Sequence, residues 1–218
     1  MPSSTVENYL KAIFGLADDA GDDSGLVPIG AIAKSLGLTP GTVTTMMKQL
    51  ERDGFVDYLP RRGVTLTDPG RTTALQVLRR HRLIELFLVE VMHLDWAHVH
   101  EEAEVLEHAL SDRMVERIDE MLGHPEYDPH GDPIPSADGV VGEDRSRSLA
   151  DCEAGDYRLV RVARDEPDFL SWLQQSGLRP GAGIRLRGRD RLAGIVEIEV
   201  DGDEAKVSES VAAALRVE

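Results

Sequence analysis

The first half of the chain places its apolar residues mainly at helical spacing. The first apolar stripe consists of Val6, Leu10, Ile13 and Phe14. Residues three or four positions apart share one face of a helix, and residues 4–7 (Ser-Thr-Val-Glu) have the capping-box spacing that would open it. A short helix is predicted around residues 29–36, followed by a turn at Gly37.

A third helix is predicted from Thr39 to about Asp53. Thr39 is a favourable N-cap residue, Pro40 suits the first helical position, and Gly54 would end the helix. Two short strands, at residues 55–58 and 64–67, then flank the basic turn Pro-Arg-Arg-Gly. This order is typical of a winged helix–turn–helix, with an αα-hairpin used only for packing as the alternative.

The period of the pattern changes in the second half. Residues 125–155 are rich in Pro, Gly, Asp and Ser and are predicted to contain an inter-domain linker. Beyond them, residues 157–162, 183–187 and 194–200 alternate apolar with polar positions between glycine turns. We therefore predict a small all-β domain, a barrel of roughly 65 residues, near the lower size for independent folding.

Composition predicts a soluble protein of one or two domains in a reducing compartment. The chain has 218 residues and one cysteine, Cys152, which excludes a disulfide framework and a four-thiolate zinc site. It has no apolar run of the length of a membrane span, and acidic residues populate its first 25 positions, unlike a signal peptide. We expect a cytoplasmic protein with no membrane partner.

Charge is distributed unevenly. The formal net charge of −16 argues against a nucleic-acid partner for the chain as a whole. Residues 26–80, however, carry eight basic and four acidic side chains. This excess indicates a part of the chain that binds a polyanion. A solvated surface is the alternative interpretation of this local excess.

The predicted third helix and wing offer groups that suit duplex DNA. A helix fits the major groove with its N-terminal residues against the base edges, and a basic hairpin tip reaches phosphates beside it. The candidate DNA-binding residues are Thr39, Gly41, Thr42, Thr44, Thr45, Lys48, Arg61 and Arg62. Because hydroxyls and methyls discriminate bases modestly, half-site spacing and DNA shape should contribute to specificity.

Two clusters of histidine and glutamate suggest a metal site. His81 and Glu85 lie four positions apart on a helix predicted to run from about Asp68 past His93. A further predicted helix carries His100, Glu104, Glu107 and His108 on one side. These donors favour Mn²⁺ or Fe²⁺ over soft metals, whereas a solvated face of an acidic protein is the alternative.

No catalytic signature accompanies these clusters. The spacings do not match His-Glu-x-x-His or repeated Glu-x-x-His, and no nucleophile motif or phosphate-binding glycine loop occurs in the sequence. We therefore expect that the protein is not an enzyme.

Three segments together resemble the diphtheria toxin repressor family of metal-dependent transcriptional repressors. They are residues 7–11, residues 49–71, and residues 81–85 with 99–112. Residues 131–135 (Gly-Asp-Pro-Ile-Pro) resemble the Gly-Asn-Pro-Ile-Pro linker of the family. The resemblance implies a winged-helix domain at residues 1–74, a helical metal-binding and dimerisation domain at 75–140, a linker at 141–155 and an SH3-like (FeoA-like) domain at 156–218.

The resemblance also implies ligand sets and partners. A regulatory metal site would use Asn8, Glu104, Glu107 and His108. A second site would use His81, Glu85, His100 and, from the SH3-like domain, Glu166, with Asp168 as the reserve. A homodimer, singly or in pairs, would bind double-stranded operator DNA when activated by metal.

Two positions bear on the identity of the metal. The iron-sensing branch has cysteine where this chain has Glu104, which favours Mn²⁺, with Fe²⁺ as the alternative. Manganese sensors of this family usually carry Asp where this chain has Asn8, so charge compensation should be weaker here. Lys11 replaces a glutamate of the short manganese regulators, so we expect one metal per site.

Rival hypotheses remain open at this point. A winged-helix regulator could respond to an organic ligand or to oxidation of Cys152, and its DNA binding would then ignore chelators. A metal-buffering or catalytic metalloprotein would bind metal without a specific DNA complex. The remaining histidines, which share no face with two other donors, are expected to be surface or linker residues: His93, His98, His124 and His130.

Overall fold

The computed structural model describes residues 2–20 and 24–218, which form two compact units. Unit 1 comprises Met1–Arg80 and Pro135–Val140, and unit 2 comprises His81–Ile134 and Val141–Glu218. The domain boundaries expected from the sequence, at residues 74, 140 and 155, stay a prediction. No helix in the described ranges is long and apolar enough to cross a membrane.

Unit 1 contains the predicted helix–turn–helix and wing. Its elements are α1 (Ser4–Ala20), α2 (Ile29–Ser35), α3 (Pro40–Arg52), β1 (Val56–Leu59), β2 (Gly63–Leu66) and the first part of α4 (Asp68–Glu90). The side chain of Ser3, rather than that of Ser4, accepts a hydrogen bond from the first turn of α1, from the amide of Val6 at 3.4 Å. The predicted stripe on α1 is buried.

Local chemistry sets both ends of α3. The amide of Thr42 donates to the Oγ1 of Thr39 at 3.2 Å, so Thr39 is the N-cap that the sequence predicts. Gly54, with a φ of 80°, ends the helix in a conformation that favours glycine. The buried face of α3 consists of Val43, Met47 and Leu50. The opposite face is therefore left to solvent.

The wing is an antiparallel pair of strands. Val56 of β1 is paired with Leu66 of β2, and the pairing continues to Leu59 and Gly63. The turn between the strands holds Arg61 and Arg62, both exposed. The register therefore presents this basic pair at the tip of the hairpin.

The helices that carry the histidine and glutamate clusters are shorter than the sequence predicts. α4 ends at Glu90 and does not run past His93, whose φ of 57° is left-handed and breaks the helix. α5 (Val99–Leu106) ends before Glu107, which caps it, and His108 lies in the following turn. α6 (Asp112–Met121) follows. A single helix therefore does not present all four donors of residues 100–108.

The C-terminal part of unit 2 is an antiparallel sheet of six strands in the order β3-β8-β4-β5-β6-β7. The strands are β3 (Arg147–Ser148), β4 (Gly155–Val162), β5 (Gly183–Asp190), β6 (Ile195–Val200), β7 (Asp203–Ser208) and β8 (Leu215–Val217). Alternating residues of β6 are buried, as the period of two predicts. Two short helices that were not predicted, α7 (Pro167–Gln175) and α8 (Glu209–Ala214), accompany the sheet.

Part of the segment interpreted as a linker is packed against the sheet. The amide of Val162 in β4 donates to the carbonyl of His130 at 2.9 Å, and a Cβ at Gly131 would lie 2.0 Å from the carbonyl oxygen of Val160. Leu149 and Cys152 belong to the core of the sheet, as does Trp96 from the loop before α5. One hydrophobic core therefore joins the loop before α5 to the sheet.

Candidate metal centre and DNA-binding surface

His81 is the centre of the first cluster. It lies on α4 and is buried, with 5% of its surface exposed. Its Nδ1 lies 2.6 Å from Glu107 Oε2, and its Nε2 lies 3.0 Å from Glu85 Oε1. Both ring nitrogens therefore face carboxylates, one on α4 itself and one at the end of α5.

Two further donors approach from α5. His100 Nδ1 lies 3.1 Å from Glu85 Oε1 and 3.1 Å from His81 Nε2. Glu104 Oε1 lies 4.0 Å from His81 Nδ1 and 3.7 Å from His100 Nε2. The structure thus brings the predicted ligand pairs of α4 and α5 together around one imidazole.

Glu107 shows why this cluster suits a cation. Its side chain has no exposed surface, and His108 Nε2 lies 3.3 Å from its Oε1. A fully buried carboxylate needs positive charge or several hydrogen-bond donors to offset its desolvation. Imidazole and carboxylate donors without a thiolate fit Mn²⁺ or Fe²⁺. The residues present therefore fit a divalent metal of this class.

A second group of donors lies on the other side of Glu85. Among the described residues, the atoms of Glu85, Asp128 and His130 lie within 4.8 Å of one another, and all three side chains are buried. His130 Nε2 lies 3.0 Å from the carbonyl oxygen of Trp96, so this nitrogen carries the proton and donates. A histidine whose one nitrogen donates to a carbonyl presents the other as a ligand. Nδ1 of His130 lies 4.0 Å from Glu85 Oε2.

The backbone of the same segment holds Asp128. Its Oδ1 accepts hydrogen bonds from the amides of His130 at 2.8 Å and Asp132 at 2.9 Å, and its Oδ2 lies 3.7 Å from Arg82 Nε. Burial, followed by the charges of Asp132 and Glu85, raises the pKa of Asp128 well above its usual range. A divalent cation would favour the ionised form at this position.

Glu85 connects the two groups. Burial opposes its ionisation, but the charge of His81 and the hydrogen bonds from His100 and His81 together hold the pKa of Glu85 well below its usual range. Oε1 faces His81 and His100, whereas Oε2 faces His130. One carboxylate therefore offers an oxygen to each side.

The exposed face of α3 carries the candidate DNA-binding residues. Thr39, Gly41, Thr42, Thr45 and Lys48 are exposed, and Thr44 is half-buried. This face has no acidic side chain before Glu51. This face carries small, polar side chains and one lysine, which suits a helix that enters a DNA groove.

Comparison with known proteins identifies three segments. Residues 1–64 match the "Iron dependent repressor, N-terminal DNA binding domain", and residues 67–136 match the "Iron dependent repressor, metal binding and dimerisation domain". Residues 147–218 match the FeoA domain. Over 98% of this chain, 33% of positions are identical to the diphtheria toxin repressor of Corynebacterium efficiens, and 95% of that protein is covered.

The chain belongs to the diphtheria toxin repressor family of metal-dependent transcriptional repressors. The predicted family and fold class, a winged-helix domain and a helical dimerisation domain followed by a small β domain, are therefore confirmed. The candidate ligands on α4, on α5 and in residues 128–130 all lie within the matched metal-binding and dimerisation domain, and the α3 and wing residues lie within the DNA-binding domain.

Solved structures of this family resemble the chain over nearly its whole length. A manganese-dependent transcriptional repressor in complex with manganese has a TM-score of 0.86 and 36% identity, with 97% of this chain and 98% of that chain covered. ScaR with bound Cd²⁺ has a TM-score of 0.80 and 36% identity, with coverage of 100% and 99%. Another relative, the iron-dependent repressor IdeR of Mycobacterium leprae, is 32% identical over 98% of this chain and 96% of its own length.

The predicted ligands Glu166 and Asn8 lie on other elements of the chain. Glu166 is exposed and accepts two hydrogen bonds of 3.0 Å from Arg164, because it stands two residues after that arginine at the N-cap of α7. Among the described residues, the ligand groups include neither Glu166 nor Asp168. Asn8 lies half-buried on α1 in unit 1.

The sequence interpretation missed two residues of this metal-binding domain. The expectation that His130 is a surface or linker histidine is wrong, since only 5% of its surface is exposed, and the sequence pattern does not predict the buried Asp128. The spacing Asp-x-His ahead of Gly131 is the only sequence signal that could have indicated them. His93, His98 and His124 are exposed, as expected.

Proposed function

We propose that this repressor is activated by Mn²⁺, with Fe²⁺ as the alternative, and binds operator DNA as a homodimer, singly or as two dimers, to control metal-homeostasis genes. The observation that carries the proposal is the buried set of imidazoles and carboxylates around His81, which lacks any thiolate. The manganese-dependent relative, at 36% identity over nearly the whole chain, supports the same metal.

The proposed regulatory site uses Glu104, Glu107 and His108, with Asn8 as the ligand that the family resemblance adds. A bound metal would offset the negative charge of these carboxylates. Glu107 is the main contributor, because its buried carboxylate is held between His81 and His108. His81 orients that carboxylate through the 2.6 Å contact from Nδ1.

A second site is proposed on the other side of His81. Glu85, Asp128 and His130 form its ligand set, and His81 and His100 hold the opposite oxygen of Glu85. Glu166 stays the ligand that the family resemblance adds to this site, and in the structure it accepts hydrogen bonds from Arg164. The hydrogen bond from Nε2 to the carbonyl of Trp96 fixes the tautomer of His130. The unprotonated Nδ1 then faces Glu85.

DNA binding is assigned to the exposed face of α3 and to the wing. α3 would lie in the major groove, and Arg61 and Arg62 would contact phosphates beside it. The homodimer doubles these contacts. Metal binding would reduce the spread of distances between the two recognition helices, whose half-sites lie one turn of DNA or a multiple of it apart, and so would raise operator affinity. We expect the protein to act in the cytoplasm, where it regulates transcription without catalysing a reaction.

A mobility-shift assay with the DNA upstream of the protein's own gene tests the proposal. The full chain is titrated with Mn²⁺, Fe²⁺, Zn²⁺ and chelator. We expect Mn²⁺ to produce the complex and chelator to remove it, and Glu107→Ala or His108→Ala to abolish activation. Glu102→Ala, which removes an exposed carboxylate on α5, is the matched control and should behave as the natural chain.

Three results would contradict the proposal. Activation of the Glu107→Ala variant by Mn²⁺ would refute the ligand assignment. DNA binding that ignores chelator would indicate a regulator of organic ligands or of redox state. A redox regulator is disfavoured by Cys152, because its thiol is buried and donates to the carbonyl of Ser148 at 3.3 Å. Metal binding without any DNA complex would indicate a metal-buffering protein.

A further inference from the structure

The threonines of α3 use their hydroxyl protons within the helix. Thr44 Oγ1 donates to the carbonyl of Pro40 at 2.7 Å, and Thr45 Oγ1 donates to the carbonyl of Gly41 at 3.1 Å. Such bonds to the carbonyl four residues earlier are a known conformation of helical Ser and Thr. These two hydroxyls therefore have no proton to give to a base.

The two remaining threonines share their hydroxyl groups. The Oγ1 atoms of Thr39 and Thr42 lie 2.9 Å apart, so one donates to the other. Thr39 Oγ1 also accepts from the amide of Thr42. Of the four hydroxyl protons on this surface, three are committed, and the surface offers mainly methyl groups and acceptor oxygens.

Thr45 is one of three exposed threonines on this face, and its hydroxyl proton is used within the helix. It is exposed and stands between Thr42, three positions before it, and Lys48, three positions after it. Gly41, one turn earlier, has no side chain, and even a Cβ there would meet no atom closer than Thr39 Oγ1 at 3.8 Å. The surface beside Thr45 is therefore open at Gly41. Because the Thr45 hydroxyl donates within the helix, its methyl is the group left to contact a base.

A surface of methyl groups and acceptors has a definite complement in the major groove. Thymine presents a C5 methyl, and adenine presents an amino donor, whereas guanine presents only acceptors. We propose that Thr45 determines operator specificity by packing its methyl against the C5 methyl of a thymine, so that each half-site carries an A·T pair opposite this residue. This inference rests on the proposed function, in which α3 enters the major groove.

The experiment begins with a random-sequence duplex library. The full chain with saturating Mn²⁺ selects its preferred duplexes, and each thymine of the selected half-site is then replaced singly by deoxyuridine, which removes only the C5 methyl. At one thymine per half-site we expect affinity to fall about fourfold, the value for one buried methyl. Other thymines should tolerate the replacement.

Variants of Thr45 test whether the thymine methyl contacts this side chain. Thr45→Ser keeps the hydroxyl and loses the methyl, so it should bind the thymine duplex about fourfold more weakly and should be insensitive to deoxyuridine at the same position. Thr45→Val keeps a methyl and loses the hydroxyl, and should bind like the natural chain. Thr73→Ser is the matched control, because Thr73 on α4 makes the same bond to Pro69, at 2.9 Å.

The outcomes separate this inference from the proposed function. If no sequence is enriched with Mn²⁺, the proposed function fails and this inference fails with it. If a sequence is enriched but Thr45→Ser responds to deoxyuridine as the natural chain does, Thr45 does not read a methyl. Loss of binding in Thr45→Val equal to that in Thr45→Ser would show that the hydroxyl is the reading group and would also overturn the inference.

Discussion

Glu85→Gln tests whether Glu85, a ligand of the proposed second site, also supports the regulatory site through His81. Glu85 is buried, with 3% of its surface exposed, and its two oxygens face different histidines. Glutamine has nearly the same volume, so the packing of α4 should survive. The substitution removes the negative charge and places an amide donor on one side. We therefore expect metal affinity to fall at the second site, where Glu85 is a ligand, and at the regulatory site, because His81, which orients Glu107, loses its charged partner.

The magnitude follows from linkage between binding and unfolding. A ligand at about a hundred times its Kd stabilises the folded state by about 2.7 kcal/mol per site. For a chain of this size, each kcal/mol raises Tm by about 2–4 °C. Saturating Mn²⁺ should thus raise the Tm of the natural chain by about 5–11 °C for each site that binds metal only in the folded state.

Thermal melting by circular dichroism, with Mn²⁺ or with chelator, measures this shift in each variant against its own metal-free baseline. Glu85→Gln should lose most of the shift at the same Mn²⁺ concentration. Glu90→Gln, an exposed residue on the same helix, is the control and should keep it. Asp128→Asn should lose only the contribution of the second site, seen in calorimetry as one metal fewer per chain. A full Mn²⁺ shift and natural stoichiometry in Glu85→Gln would refute the argument that Glu85 supports both sites.

Two further predictions concern DNA affinity and the packing of residues 128–132. Replacing Arg61 and Arg62 together by alanine should weaken binding to all DNA sequences and reduce the slope of log affinity against log salt by about 1.8, which a salt titration measures; an unchanged slope would remove the wing from the interface. Gly131→Ala should lower the free energy of unfolding by at least about 2 kcal/mol in urea, because Gly131 has a φ of 87° and a Cβ would lie 2.0 Å from Val160 O. Gly142→Ala, where a Cβ meets nothing within 4 Å, is the control, and equal stability of the two variants would contradict the packing argument.

The sequence predicts α3 well because the determinants of that helix are local. Thr39, Pro40 and Gly54 specify its start and its end within 16 residues, and the apolar spacing specifies its buried face. The wing follows for the same reason, since its strands are adjacent in the chain. Alternation in β6 likewise predicts which of its side chains are buried.

The metal centre is predicted only in part because its contacts are long-range. The spacing His81 to Glu85 identifies two ligands on one helix, but the 2.6 Å contact of His81 with Glu107 spans 26 positions. His130 is harder still, since its burial depends on Trp96 and on β4. A Pro- and Gly-rich composition predicts a loop and cannot show that the loop packs.

That packing bears on how the second site works. Asp132 contacts Arg82 of α4 at 3.3 Å and Arg161 of β4 at 2.8 Å, so residues 128–132 are held from both sides within unit 2. The amides of His130 and Asp132 already orient Asp128. Because the ligands are preorganised, binding at this site costs little ordering entropy. The expected effect of metal here is therefore to relieve the repulsion between Glu85 and Asp128, which strengthens the attachment of residues 128–132 to α4 without rebuilding it.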